Sequence, residues 1–298
     1  MSQQELDAVL AFLAESGDLS AGTLEERRAL FDQTGESIPL PDDVKIDAVD
    51  AGGRPALMID GPKSRADHVI LYLHGGGYVL GSPLSHRPLT VLLAEAAEAT
   101  VLSLDYSLAP EGVYPAAVED AVNAYQWLVK EKGIAPGKIA VSGDSAGGGL
   151  AAATLMLLRD RELGEPAAGM LISPWADLTC SSKSMTSRAD IDPWLEQSTL
   201  KEMADAYLGG KGAESHLASP VFGSLEGLPP LLIQVGTREI LHDDSLRMAG
   251  KAAEAHLDVT LEIWDGMIHV WHFFAPMLEE GREAIDNMGA FYKAKTAA

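Results

Sequence analysis

Ser145 sits in the run Val141-Ser142-Gly143-Asp144-Ser145-Ala146-Gly147-Gly148-Gly149. The residues before it, Lys138 to Ser142, read as a short buried strand, and Leu150 to Arg159, rich in Ala and Leu, read as a helix. A turn that reverses between them within about five residues drives its central residue into strained backbone, and flanking glycines remove the Cβ atoms that would clash. Such a turn lifts one hydroxyl above the sheet edge, at the positive end of a helix, where a serine nucleophile would stand. A glycine-rich phosphate loop or a plain tight turn competes for the same Gly-x-Ser-x-Gly pattern, and the strand before and helix after it favour the elbow.

Serine is a poor nucleophile until a base takes its proton, and the base needs a carboxylate to fix its tautomer. On a strand–elbow–helix scaffold the chain order is Ser, acid, His, so both partners must follow Ser145. Five histidines do: His216, His242, His256, His269 and His272. His269, in Trp264-Asp265-Gly266-Met267-Ile268-His269, directly follows the last strand-like run and a glycine-containing loop, so it is the expected base. His242 and His256 fall on the preceding helix, and His272 on a helical turn. The acid should follow the strand Leu231 to Val235, where Glu239, Asp243 and Asp244 stand. Asp243 and Asp244 have a structural reason of their own, the first turn of the next helix, where acids favour the dipole. Glu239 has none and is the preferred acid, with Asp244 as the alternative.

The tetrahedral intermediate of acyl transfer also needs amide donors. His74-Gly75-Gly76-Gly77-Tyr78 follows a strand ending at Leu73, and consecutive glycines let bare backbone approach a ligand. Ala146, after the nucleophile, is positioned to add another N–H. Phosphate binding by these glycines is disfavoured because no GxxxxGK[ST] lysine follows. His74 reads as a loop anchor.

The elements that must carry these groups alternate. Val44 to Val49 and Arg54 to Ile59 form an edge hairpin through Asp50-Ala51-Gly52-Gly53. Strands are then expected at His68–Leu73, Thr100–Leu104, Lys138–Ser142, Ala168–Ile172, Leu231–Val235 and Val259–Ile263. Helices are expected at about 85–98, 115–132, 150–159, 243–255 and 276–293. This alternation specifies an α/β protein with a mostly parallel sheet of eight strands and helices on both faces, its site beyond the carboxyl ends of the strands. Residues 1–42 read as an amphipathic helical cap segment, with Thr23-Leu24-Glu25-Glu26 as a capped helix start. Residues 43–298 form the catalytic domain, within which 177–227 interrupts the alternation as a second cap or insert segment.

The 298 residues, 47% hydrophobic, suffice for one large core and exclude a disordered chain. No run approaches about 18 unbroken apolar residues, so no membrane span is expected, and the start lacks a basic and apolar leader. Cys180 is the lone cysteine, which fits a reducing cytoplasm. A net charge of −22 disfavours nucleic acid and anionic membranes as partners and leaves small molecules.

His74-Gly75-Gly76-Gly77, Asp105-Tyr106-Ser107-Leu108-Ala109-Pro110-Glu111, Gly143-Asp144-Ser145-Ala146-Gly147-Gly148 and Ser173-Pro174-Trp175 together resemble the hormone-sensitive-lipase-like family of bacterial esterases, in order and spacing, over about residues 66 to 275. The resemblance implies an α/β-hydrolase with an N-terminal helical cap that hydrolyses short- to medium-chain carboxylic esters without a cofactor or metal. It implies Ser145 as nucleophile and His269 as base. Gly76, Gly77 and Ala146 would line the oxyanion hole, with Gly75 as a further candidate, and a homodimer is consistent with it. Members of the family commonly carry Asp where this chain has the longer Glu239, so either the loop is set back or Asp244 serves. Two other readings stand beside the esterase: a catalytically silent ligand receptor on the same fold, which Ser145 and His269 argue against, and an amide or peptide hydrolase. Phe12, Leu13, Trp194 and Tyr207 are the candidate walls of an acyl pocket.

Overall fold

The computed structural model describes residues 3–15 and 22–297; residues 1–2 and 16–21 of the expected cap segment and residue 298 of the expected catalytic domain lie outside the described residues. Helix α1 spans Gln3–Glu15 and α2 spans Leu24–Glu36. Helix α2 starts on a capping box: Thr23 Oγ1 accepts the Glu26 N–H, and the Glu26 carboxylate accepts the Thr23 N–H at 2.8 Å. The strands are β1 Lys45–Asp50, β2 Pro55–Asp60, β3 Arg65–Leu73, β4 Ala99–Leu104, β5 Ile139–Asp144, β6 Ala168–Ile172, β7 Leu231–Arg238 and β8 Val259–Ile268. Between and after them run α3 Arg87–Ala97, α4 Ala116–Lys130, α5 Ala146–Asp160, the single turn α6 Ser184–Ser187, α7 Gln197–Leu208, α8 His242–Glu254 and α9 Glu279–Thr296.

The eight strands form one sheet in the order β1-β2-β4-β3-β5-β6-β7-β8. β1, β2 and β4 pair antiparallel, and every other pair is parallel. Successive side chains of a strand point to opposite faces, and here both faces are covered. Leu71, Leu73, Val141, Leu171 and Ile233 pack with α4, α5 and α8, while Ile70, Tyr72, Ala140, Met170 and Ile172 pack with α3 and α9. This double cover is why β3 to β6 read as apolar runs without alternation.

Among the boundaries that differ from the expectation, three stand out. Strand β8 runs on to Ile268, through Asp265-Gly266, which reads as a loop in sequence; past a register shift at Gly236 the pairing resumes at Arg238 and Ile268. Helix α5 starts at Ala146, taking in three glycines of poor helix propensity. They are required by contact: a Cβ on Gly147 would collide with the Leu73 carbonyl, and one on Gly149 with the Trp175 carbonyl. His256 lies beyond α8, with φ +55°.

The N-terminal helices rest on the carboxyl edge of the sheet. Leu6 and Val9 of α1 are buried with Met267, Ile268, Trp271 and Phe274, around the end of β8. From α2, Arg28 Nε donates to Val79 O at 2.9 Å and Nη2 to Ala109 O at 2.8 Å, and the guanidinium pairs with Glu111. The Phe31 ring meets His86 edge-on at 5.7 Å.

Candidate active site

Four neighbouring parallel strands end, in sheet order, at four polar residues. Ser145 follows β5, Ser173 follows β6, Glu239 follows β7 and His269 follows β8. All four are buried. Ser145 N–H donates to Ile172 O at 2.9 Å, Ser145 O accepts Trp175 N–H at 2.8 Å, and Ser173 N–H donates to Gln234 O at 2.7 Å, so backbone bonds lace these strand ends together.

The elbow has the strain its sequence demands. Ser145 adopts φ +54°, ψ −122°, and Tyr78, Ser173 and Val270 also have positive φ. For side-chain-bearing residues, above all a β-branched valine, this conformation costs energy and persists only where surrounding structure enforces it. Ser145 and Ser173 directly follow β5 and β6, Val270 comes one residue after His269 at the end of β8, and Tyr78 closes the glycine loop.

The glycine loop crosses close over the elbow. Gly76 and Gly77 take φ +108° and +65°, and a Cβ on Gly77 would collide with the Met203 sulfur of α7. Among the described residues no protein acceptor meets the N–H of Gly76, Gly77 or Ala146. Gly75 differs: its N–H donates to Asp144 Oδ1, 3.0 Å away. That amide already has its acceptor, so Gly75 is corrected from oxyanion donor to loop anchor. His74 is an anchor too, with Nδ1 2.8 Å from Gly75 O and its ring stacked at 4.3 Å on Tyr106. Burial, reinforced by neighbouring His86, lowers its pKa to about 3, so it is neutral.

His269 Nδ1 lies 2.8 Å from Glu239 Oε2. The other oxygen, Oε1, accepts Ser173 Oγ–H at 2.8 Å and Gly236 N–H at 2.7 Å. Ser173 Oγ in turn accepts Val270 N–H at 3.3 Å, so one hydroxyl ties the carboxylate to the residue after the histidine. Burial alone would lower the His269 pKa; the hydrogen bond and charge of Glu239, then Asp192 and Asp144, outweigh it and hold the imidazole above the usual histidine value. Ser173 has no role in the sequence reading. Its signal was position, since it follows its strand as Ser145 and His269 follow theirs.

Asp244 is engaged elsewhere. Its Oδ2 accepts Ala176 N–H and Asp177 N–H, both at 3.0 Å, and its Oδ1 accepts Ser182 Oγ–H. Burial raises its pKa to about 7. The insert grips the acid-bearing loop at further points: Asp192 Oδ2 accepts Ile240 N–H at 2.8 Å, Ser184 Oγ donates to Ile240 O at 2.6 Å, and Arg188 donates to Thr237 O. Asp192 Oδ1 also caps Trp194 N–H and Leu195 N–H, which sets the Trp194 ring edge-on to His269 at 6.0 Å. The remaining histidines do other work. His272 Nε2 meets Gln234 Oε1 at 2.8 Å, His242 meets Asp243, and His216 is exposed beside Asp160. Of the proposed pocket walls, Trp194 reaches the base, Tyr207 stacks on Tyr78 at 3.8 Å, and Phe12 contacts Phe274. Leu13 packs, partly buried, against the α1 cluster.

Residues 70–273 match a family model described as alpha/beta hydrolase fold. The chain is 45% identical to the acetyl-hydrolase of Streptomyces hygroscopicus over 296 residues, 99% of this chain and 98% of that protein. A crystal structure of an esterase from the bacterial hormone-sensitive lipase family superposes with TM-score 0.96 at 44% identity, covering 99% of both chains. The esterase EstE5, in a crystal soaked with p-nitrophenyl butyrate, superposes with TM-score 0.94 at 44% identity over 99% of both chains.

Proposed function

The chain belongs to the hormone-sensitive-lipase-like branch of the alpha/beta hydrolase family and is a carboxylesterase, and from that premise we propose that it hydrolyses short- to medium-chain esters through an acyl-Ser145 intermediate. What supports this reading is that Ser145, Glu239 and His269 follow β5, β7 and β8 at one edge of the sheet, with His269 Nδ1 2.8 Å from Glu239 Oε2. His269 Nε2 takes the Ser145 Oγ proton as the hydroxyl attacks the ester carbonyl. The carbonyl oxygen gains the negative charge, and the amides of Gly76, Gly77 and Ala146, which have no protein acceptor among the described residues, receive it. His269 then gives the proton to the departing alkoxide. Water repeats the sequence on the acyl-enzyme, and Glu239 steadies the imidazolium in both halves.

Residues 1–42 and 177–227 act as the two cap segments, and Trp194, Met203 and Tyr207 wall the acyl side. Their bulk, beside a relative named for acetyl hydrolysis, supports a preference for short acyl groups. Among the described residues no helix is long and apolar enough to cross a membrane. Cytoplasmic residence rests on the lone buried Cys180, and a homodimer on the family resemblance; cell fractionation and sedimentation test them.

The deciding experiment measures rates on p-nitrophenyl esters from acetyl to decanoyl, beside Ser145→Ala and a matching anilide. The variant loses at least ~10⁴ of kcat, the rate declines with acyl length, and an organophosphate labels Ser145 stoichiometrically. A label on another residue, with Ser145 unmodified, sinks the assignment.

A further inference from the structure

The three amides assigned to the oxyanion come from two separate segments. Gly76 and Gly77 lie in the loop after β3, and Ala146 lies at the start of α5. Catalysis of this kind requires donors held at hydrogen-bond distance from one point, so something must fix the loop against the elbow. Bare glycines only permit the approach: a Cβ on Gly143 or Gly147 would collide with the Leu73 carbonyl, and one on Gly75 with the Asp144 carboxylate.

One side chain bridges the two segments. Asp144, adjacent to Ser145, is fully buried. Its Oδ1 accepts Tyr72 Oη–H at 2.7 Å and Gly75 N–H at 3.0 Å, and its Oδ2 lies 3.4 Å from His86 Nε2. His86 is braced in turn, with Nδ1 2.9 Å from Ser85 Oγ, and Ser82 Oγ in the same turn donates to Asp32 of α2. A buried carboxylate is expensive unless every lone pair is met. Here burial, which opposes ionisation, is outweighed by His86 and the Tyr72 hydroxyl, which hold the Asp144 carboxyl below the ordinary carboxylate pKa.

We propose that Asp144 is a positioning residue for the oxyanion hole: by holding the Gly75 amide, its carboxylate sets the Gly76 and Gly77 amides in register with Ser145 and Ala146. The inference rests on the esterase reading. Asp144 touches no reacting atom. It acts because its backbone belongs to the elbow while its side chain belongs to the glycine loop.

The test compares Asp144→Ala and Asp144→Asn with the wild type on p-nitrophenyl acetate. Losing one oxyanion donor outright costs roughly 10²–10³ in rate. A loop that keeps its donors but loses its register should cost about 10- to 100-fold in kcat, with KM changed less than about threefold. D144N keeps an acceptor for Gly75 and Tyr72 and should recover to within about fivefold of the wild type. A boronic acid that mimics the tetrahedral adduct should lose affinity in D144A by the factor that kcat/KM loses. D144A kinetics equal to the wild type overturn the proposal. So does a D144N enzyme, folded with unchanged Tm, that has lost more than about 100-fold, since then the charge and not the hold on Gly75 matters; this arm stands even where D144A does not fold. A wild type that turns over no ester fails the esterase reading and takes this inference with it, whereas an active wild type matched by D144A fails this inference alone.

Discussion

Ser173 Oγ lies 2.8 Å from Glu239 Oε1, the carboxylate oxygen that His269 does not use. The two oxygens therefore have separate tasks: Oε2 orients the imidazole, and Oε1 is clamped by Ser173 Oγ–H and Gly236 N–H. A glutamate arm has one more rotatable bond than aspartate, and this clamp removes that freedom.

Ser173→Ala leaves Gly236 as the remaining donor on Oε1 and removes the acceptor of Val270 N–H. Loss of one such bond to a charged group is worth about 1.5–3 kcal/mol. Part of that reaches the transition state, so kcat should fall about tenfold with KM little changed. Steady-state kinetics decide it, and an unaltered kcat removes Ser173 from the machinery.

Replacing each acid separates their roles. Glu239→Gln preserves shape but leaves the imidazole without its anionic partner, and kcat should fall by about 10³–10⁴. Glu239→Asp falls short of His269 while the Ser173 clamp stays, at a cost of about 10–10². Asp244→Ala frees Ala176, Asp177 and Ser182 from their acceptor and should lower Tm more than kcat. If Asp244→Ala silences a folded enzyme while Glu239→Ala stays active, the acid has been misassigned.

The pH profile follows from His269, which acts as base only when neutral. Its pKa is raised in the folded protein, so kcat/KM should fall as pH drops through a value above about 6.5. The same shift means that its contribution to stability is full below the unfolded value and is lost as pH rises through the folded one. Asp192 is one of the carboxylates holding that pKa up. Asp192→Asn should move the acidic limb to lower pH, and a limb that stays in place contradicts the electrostatic account.

Asp244 gives a stability signature of opposite residue type and the same sign. Its pKa rises from the ordinary carboxyl value to about 7 on folding. The folded state therefore binds the proton more tightly, so this contribution is full below about pH 4 and declines as pH rises to about 7. Asp244→Asn keeps an acceptor for the two amides and a donor for Ser182. It should flatten the fall of Tm between about pH 4 and 7 by a few degrees, at about 2–4 °C per kcal/mol for a domain of this size. Thermal melts of both proteins across that range are the check.

The elements were legible where local pattern and tertiary role agree. Val69 to Leu73 and Ala168 to Ile172 are apolar throughout because both faces are covered. The positions of Ser145, Glu239 and His269 just past the ends of β5, β7 and β8 were readable because chain order and strand ends constrain them. Strand β8 beyond Ile263 was not, because Asp265-Gly266 carries loop chemistry and tertiary partners keep it extended: Trp264 pairs with Gly236, Ile268 with Arg238, and Gly266 N–H donates to Thr237 Oγ1. Gly75 was misread as a donor because three glycines look alike in sequence, while the acceptor that distinguishes the first comes from Asp144, far along the chain. Ser173 was missed for the same reason, its partners lying at Glu239 and Val270.

The insert is stitched to the acid loop through Ser184, Arg188 and Asp192, with Asp244 holding Ala176, Asp177 and Ser182 in return. It therefore cannot be exchanged as an independent module. A chimaera that imports a relative's residues 177–227 to change selectivity must also import the matching stretch from Thr237 to Asp244, or the graft will drag the carboxylate off its histidine.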